Sequence, residues 1–117
     1  MKPRDPEALL PLKPVVFQVL LSLSEGERHG YAIVQDIAER SSARLQLEPG
    51  NLYRVLQSML DEALIEESDR RPAPDRDDER RRYYRITPFG RRVASAEAAR
   101  LSDIVADARA RNLLKGR

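Results

Sequence analysis

Pro49-Gly50-Asn51-Leu52-Tyr53-Arg54-Val55-Leu56-Gln57-Ser58-Met59-Leu60 reads as a two-faced helix that opens on a proline. Proline is favoured at the first position of a helix, where its missing N–H would have no partner. Behind it Leu52, Val55, Leu56, Met59 and Leu60 recur at spacings of three and four, the stripe of a helix with one buried face. The opposite face carries Asn51, Tyr53, Arg54, Gln57 and Ser58, side chains that are polar or long and able to hydrogen-bond.

Upstream, Leu12, Val15, Val16, Val19, Leu20 and Leu23 form a second stripe, predicting a helix over Leu12–Leu23 that Glu25-Gly26 ends, with Gly26 as its C-terminal glycine. A further helix is expected from about Gly30 to Arg40. Its Tyr31, Val34, Ile37 and Ala38 fall on one side, and Asp36, Glu39 and Arg40 on the other. Downstream the period changes. Leu64–Ser68 and Arg82–Thr87 are short and rich in strand-favouring residues. Asp69 to Arg81 lies between them, with two prolines and alternating Asp and Arg, too polar to pack and expected to be an exposed, mobile hairpin loop. Thr87-Pro88 then reads as an N-cap and a first helical residue, opening a helix from Pro88 to about Leu114. On that helix Ala94, Ala98, Leu101, Val105 and Ala108 are spaced 4, 3, 4, 3, an alanine-rich seam of coiled-coil type.

Three helices, a two-stranded hairpin and a long last helix are the order of a winged helix-turn-helix, whose second turn helix enters the DNA major groove. The expected class is α+β, mainly α: a winged helix-turn-helix domain over residues 8–90 with a C-terminal dimerisation helix over 88–114, packed as part of the same domain.

Composition sets the outer limits. A chain of 117 residues is one domain of modest core. With no cysteine there are no disulfides, thiolate metal sites or cysteine nucleophile, and the single histidine argues against an all-histidine metal site or a Ser-His triad. Nothing gathers the carboxylates with a base, nucleophile or ligand set, so neither an enzyme nor a metal or cofactor is expected. The opening MKPRDPEALLPLKP lacks the apolar run and cleavage site of a signal peptide. No stretch approaches the roughly 20 apolar residues of a membrane span. These absences predict a cytoplasmic, soluble protein. The net charge is only +2, so placement matters more than sum. The window Arg80–Arg92 holds Arg80, Arg81, Arg82, Arg85, Arg91 and Arg92 and no acid, a local patch able to bind phosphate.

Four stretches together resemble the PadR family of bacterial transcriptional regulators. They are the apolar opening helix Val15–Leu23, His29-Gly30-Tyr31, Pro49–Leu56, and Arg82–Gly90 with its closing Thr-x-x-Gly. The resemblance spans residues 12 to 92, and the single helix after the wing is similar to the short subfamily, whose last helix builds a homodimer. It implies double-stranded DNA as partner, a pseudo-palindromic operator and repression by occupancy. Release would come through a small-molecule effector of unknown identity, or a partner, that changes the spacing or tilt of the wings. The chain has no tryptophan, so clamping of flat aromatic compounds between tryptophans, known in some short members, is not expected.

Within that frame the candidate DNA contacts are Asn51, Tyr53, Arg54, Gln57 and Ser58 on the recognition helix, His29 and Tyr31 at the head of the second helix, and Arg80, Arg81 and Arg82 on the wing. Arg54 and Gln57 suit base edges, since Arg pairs with guanine and Gln with adenine through two hydrogen bonds. Asn51 and Tyr53, near the helix start, suit phosphate. His29 is expected to cap or pack at its helix start, with phosphate contact as the alternative. Tyr83 and Tyr84 adjoin on a strand and face opposite sides, one of them into the core. The four acids of the wing tip, Asp75 to Glu79, should keep that tip out of the minor groove. A last helix of about 37 Å exceeds what one small core needs, so pairing between protomers through Ala94, Ala98, Leu101, Val105 and Ala108 is expected. The rival reading is a winged-helix protein-interaction module without specific DNA binding, which the near-neutral charge and acidic tip would suit.

Overall fold

The computed structural model describes residues 4–42, 49–69 and 82–115. A short 3-10 turn, Pro6–Leu9, leads into α1 (Pro14–Ser24), β1 (Arg28–His29), α2 (Gly30–Arg40), α3 (Pro49–Asp61), β2 (Ile65–Glu67), β3 (Tyr83–Ile86) and α4 (Pro88–Ala110). The class is the expected one, mainly helical with a small antiparallel sheet. Residues 70–81, with the acidic wing tip, Arg80 and Arg81, lie outside the described residues.

Proline and capping chemistry set most boundaries. Pro14 and Pro88 open α1 and α4. α1 therefore begins at Pro14, two residues later than the apolar stripe suggests. Gly26, at φ +151°, turns the chain out of α1 in a conformation that side chains with a Cβ rarely adopt, and its N–H donates to the Leu23 carbonyl. Ala63 (φ 61°) ends α3 left-handed, with the Leu64 N–H donating to Met59 O and that of Ala63 to Leu60 O. Asn112 (φ 62°) does the same for α4, which stops at Ala110 rather than near Leu114.

The core joins Val19, Leu20 and Leu23 of α1, Ile33 and Ile37 of α2, and Leu52, Leu56 and Met59 of α3 to Leu64, Ile65, Tyr84 and Val93. Each such aliphatic side chain contributes roughly 1.5–3 kcal/mol on full burial, against about 0–1 kcal/mol for a surface ion pair, so the core holds the fold. The face of α2 differs from the reading of its sequence. Gly30, Ile33 and Ile37 are buried at spacings of three and four, whereas Tyr31 is 67% exposed. The face is set by Gly30, over which the Leu52 side chain packs, 3.4 Å from where a Cβ would stand; Tyr31 is one residue, about 100°, further round the helix.

The sheet has the order β1-β3-β2, all antiparallel. β1 is an element the sequence did not announce; it pairs Arg28 with Tyr84 and His29 with Tyr83. β2 pairs Ile65 with Ile86, Glu66 with Arg85 and Glu67 with Tyr84. Alternation along β3 buries Tyr84 and leaves Tyr83 half-buried, where its ring meets His29 edge to face at 5.4 Å.

Candidate nucleic-acid interface

α3 presents its exposed face beside the wing. Leu52, Leu56 and Met59 are buried and Val55 and Leu60 partly so, which turns Asn51, Tyr53, Arg54, Gln57 and Ser58 outward. Two of these side chains are parked on their own helix. Arg54 Nη2 donates to Asn51 Oδ1 at 3.2 Å, and Gln57 Nε2 to Asp61 Oδ1 at 3.0 Å. Both bonds are exposed, so exchanging them for a base edge costs little.

The outward face divides along its flanks. Tyr53 and Gln57 lie toward the wing, where they line a cleft of about 480 Å³ with Leu56, Leu60, Glu67, Arg82 and Tyr84. Ser58 lies on the other flank and lines a groove with Leu9, Pro11, Leu12 and Met59. Sequence spacing thus placed all five residues on one helix side; among the described residues, Tyr53 and Gln57 are the two of them that line the cleft beside the wing.

The arginines of the 80–92 window do not gather into one patch among the described residues. Arg82 lies 3.7 Å from Glu67. Arg85 donates to Glu66 at 2.8 Å and lies 3.8 Å from Glu27, which together hold its guanidinium on the sheet. The hydrogen bond that Arg85 donates to Glu66 raises the Arg85 pKa further. Arg91 reaches the Ser24 carbonyl at 3.5 Å, and Arg92 stands over the Phe89 ring at 5.7 Å. Arg82 alone of the described members borders the α3 cleft.

His29 caps α2: its Nδ1 accepts the Ala32 N–H at 3.2 Å. Tyr31, the next residue but one, projects from the first turn of α2 into solvent. The root of the wing is tied down from the opposite side. Glu27 accepts the Ser68 hydroxyl at 2.5 Å, and the Ser68 N–H donates to Tyr83 O at 2.8 Å. No sequence pattern pointed to Glu27 or Ser68, because they are bonded across 41 residues. Among the described residues no group of three or more His, Cys, Asp or Glu could hold a metal ion, and no helix is long and apolar enough to cross a membrane.

An exposed helix of polar side chains on a three-helix core, flanked by an antiparallel wing, defines a winged helix-turn-helix protein. Residues 19–96 match the Transcriptional regulator PadR-like family. Over 77 residues the chain is 32% identical to an uncharacterized protein of Lysinibacillus sphaericus, which spans 66% of this chain and 68% of that one. A Streptococcus transcriptional regulator superposes with a TM-score of 0.68 at 26% identity, covering 84% of this chain and 91% of its own. A PadR family transcription regulator from Clostridium difficile superposes at 0.66 and 19% identity, over 83% and 96% of the two chains. The chain belongs to the PadR-like family of transcriptional regulators, a family of regulators and not of enzymes.

Proposed function

We propose that this regulator acts as a homodimeric repressor in the cytoplasm, occupying a pseudo-palindromic operator with two copies of α3. The observation that carries the reading is the outward row of Tyr53, Arg54 and Gln57 on a helix whose other face is locked in the core. Arg54 and Gln57 sit one turn apart, so both reach base edges when α3 lies in the major groove. Asn51 and Tyr53 serve phosphates near the helix start, with Tyr31, His29 and the wing arginines Arg80, Arg81 and Arg82 adding backbone contacts. Ser58 lies at the edge of this footprint. Two α3 helices about 34–36 Å apart would read half-sites one helical turn apart.

An electrophoretic shift with DNA from upstream of the protein's own gene tests this, run at two salt concentrations with excess competitor DNA. A shift that survives competitor is the expected result. Arg54→Ala with Gln57→Ala should then abolish discrimination, each lost pair being worth about 1–3 kcal/mol. If the double variant binds as the parent does, α3 is not the reading helix. If the shift disappears under competitor and the protein instead captures a protein partner, the interaction-module reading replaces this one.

A further inference from the structure

Among the described residues, the cleft between α3 and the wing brings one cation, Arg82, and one carboxylate, Glu67, face to face. Its floor is apolar and firm: Leu56 and Tyr84 are core residues, 1% and 6% exposed. Its rim carries Tyr53 and Gln57 from α3, Arg82 just before β3, and Glu67 at the end of β2. α3 and the strands of the wing flank this cleft, so a duplex held by both would bring its sugar-phosphate backbone against it. Arg82 and the Tyr53 hydroxyl are phosphate donors in kind. Glu67 is the exception. Its carboxylate stands 3.7 Å from the Arg82 guanidinium, and both side chains are close to half exposed.

We propose that the cleft seats a backbone phosphate of DNA and that Glu67 is a gate on it, holding Arg82 in the free protein and yielding it to the phosphate on binding. This rests on the DNA-binding reading above. The pair then works as an exchange. Arg82 keeps a carboxylate partner while DNA is absent, and the phosphate must displace that partner to be bound. Such a gate lowers affinity for every duplex alike, because it acts on the backbone and not on the bases. It therefore trims non-specific binding, while discrimination stays with Arg54 and Gln57.

Fluorescence anisotropy with a labelled random-sequence duplex at low salt tests the gate. Glu67→Gln preserves the shape of the strand end and removes the charge, and should tighten binding by about threefold to tenfold. Arg82→Gln should weaken binding and make the log–log salt slope shallower by about 0.9, one phosphate contact. The gate requires coupling: in the Arg82→Gln background the gain from Glu67→Gln should fall below about twofold. A gain that persists in full there would make Glu67 a simple repulsive charge and overturn the gate. So would an unchanged affinity of Glu67→Gln in the Arg82 parent. Failure of the parent protein to bind any duplex would instead overturn the DNA-binding reading, and the gate with it.

Discussion

A β-carbon on Gly90 would stand 2.0 Å from the carbonyl oxygen of Leu64 and 2.9 Å from its carbon, nearer than real contacts come. That carbonyl cannot retreat, because it accepts the Thr87 N–H and the Thr87 hydroxyl, each at 3.1 Å. The hydroxyl also donates to Ala63 O at 2.6 Å and accepts the Gly90 N–H at 2.9 Å. One threonine and one glycine thus weld the start of α4 to the turn that ends α3. Gly90→Ala should cost about 3 kcal/mol, read as a lower midpoint in urea denaturation with an unchanged slope. A loss below about 0.5 kcal/mol would mean that the corner has slack, since surface substitutions fall within that range. The sequence displayed Thr87 and Pro88 as a cap and its successor, and the structure agrees. It could not display why Gly90 is a glycine, since the obstacle is a carbonyl contributed by a distant residue. Tyr83 and Tyr84 pose the same limit: alternation says they differ, but only the helical core packed against one face of β3 says that Tyr84 goes inward.

Among elements, the segment before α1 acts as a strap over the helices. Arg4 donates to Glu62 O at 2.6 Å and to Glu62 Oε2 at 2.9 Å, and its guanidinium lies 4.4 Å from the centre of the Phe89 ring. At the other end the Leu12 N–H donates to Glu97 Oε2 at 2.9 Å, and Glu97 also accepts from Arg100 at 2.5 and 3.0 Å. The strap so joins the end of α3 to the middle of α4. Glu97 is only 2% exposed, and the Arg100 hydrogen bond, outweighing burial, with the Leu12 N–H holds its carboxyl below the ordinary glutamate range. A carboxylate whose pKa is depressed on folding stabilises the native state above the unfolded pKa of about 4.3 and loses that contribution as pH falls through the folded value. Stability should therefore drop on acidification below about pH 5. Glu97→Gln should flatten that drop and cost about 1–2 kcal/mol at pH 7, the lower part of the range because Arg100 is partly solvent-screened. Thermal melts at neutral and acid pH check both, and parallel pH profiles for the two proteins would remove Glu97 from the account. Little of this strap was legible. Glu97 in an alanine-rich helix reads as a solvated charge, and its bond to Leu12 spans 85 positions. The two-residue β1 is likewise too short for any periodicity, whereas α1, α2 and α3 each carry enough turns for a stripe to emerge.

At the scale of the whole molecule, α4 is the element that its own domain does not consume. Its 23 residues extend about 34 Å at 1.5 Å per residue, yet its buried residues, Gly90, Val93 and Glu97, all lie in the first three turns. The radius of gyration, 16.0 Å, exceeds the roughly 13 Å of a compact chain of this length, as a projecting helix requires. Of the seam residues, Ala94 packs against the domain's own core, and Ala98 is exposed at the point where the helix leaves it. Leu101, Val105 and Ala108 continue outward, and Ile104, 50% exposed and absent from the 4, 3, 4, 3 reading, completes a stripe at i, i+3, i+4 and i+7. A twofold partner laying the same stripe against this one would cover both faces at once, as an isologous contact must. Because Ile104 leaves the protomer core untouched, Ile104→Asp should keep the fold and split the dimer. Sedimentation at micromolar concentration should show a dimer for the parent protein and a monomer for the variant. Operator affinity should fall by about a hundredfold, because the second half-site contact ceases to be intramolecular, while affinity for an isolated half-site stays the same. An Ile104→Asp protein that still sediments as a dimer would move the interface off α4, and with it the spacing that a pair of α3 helices imposes on the operator.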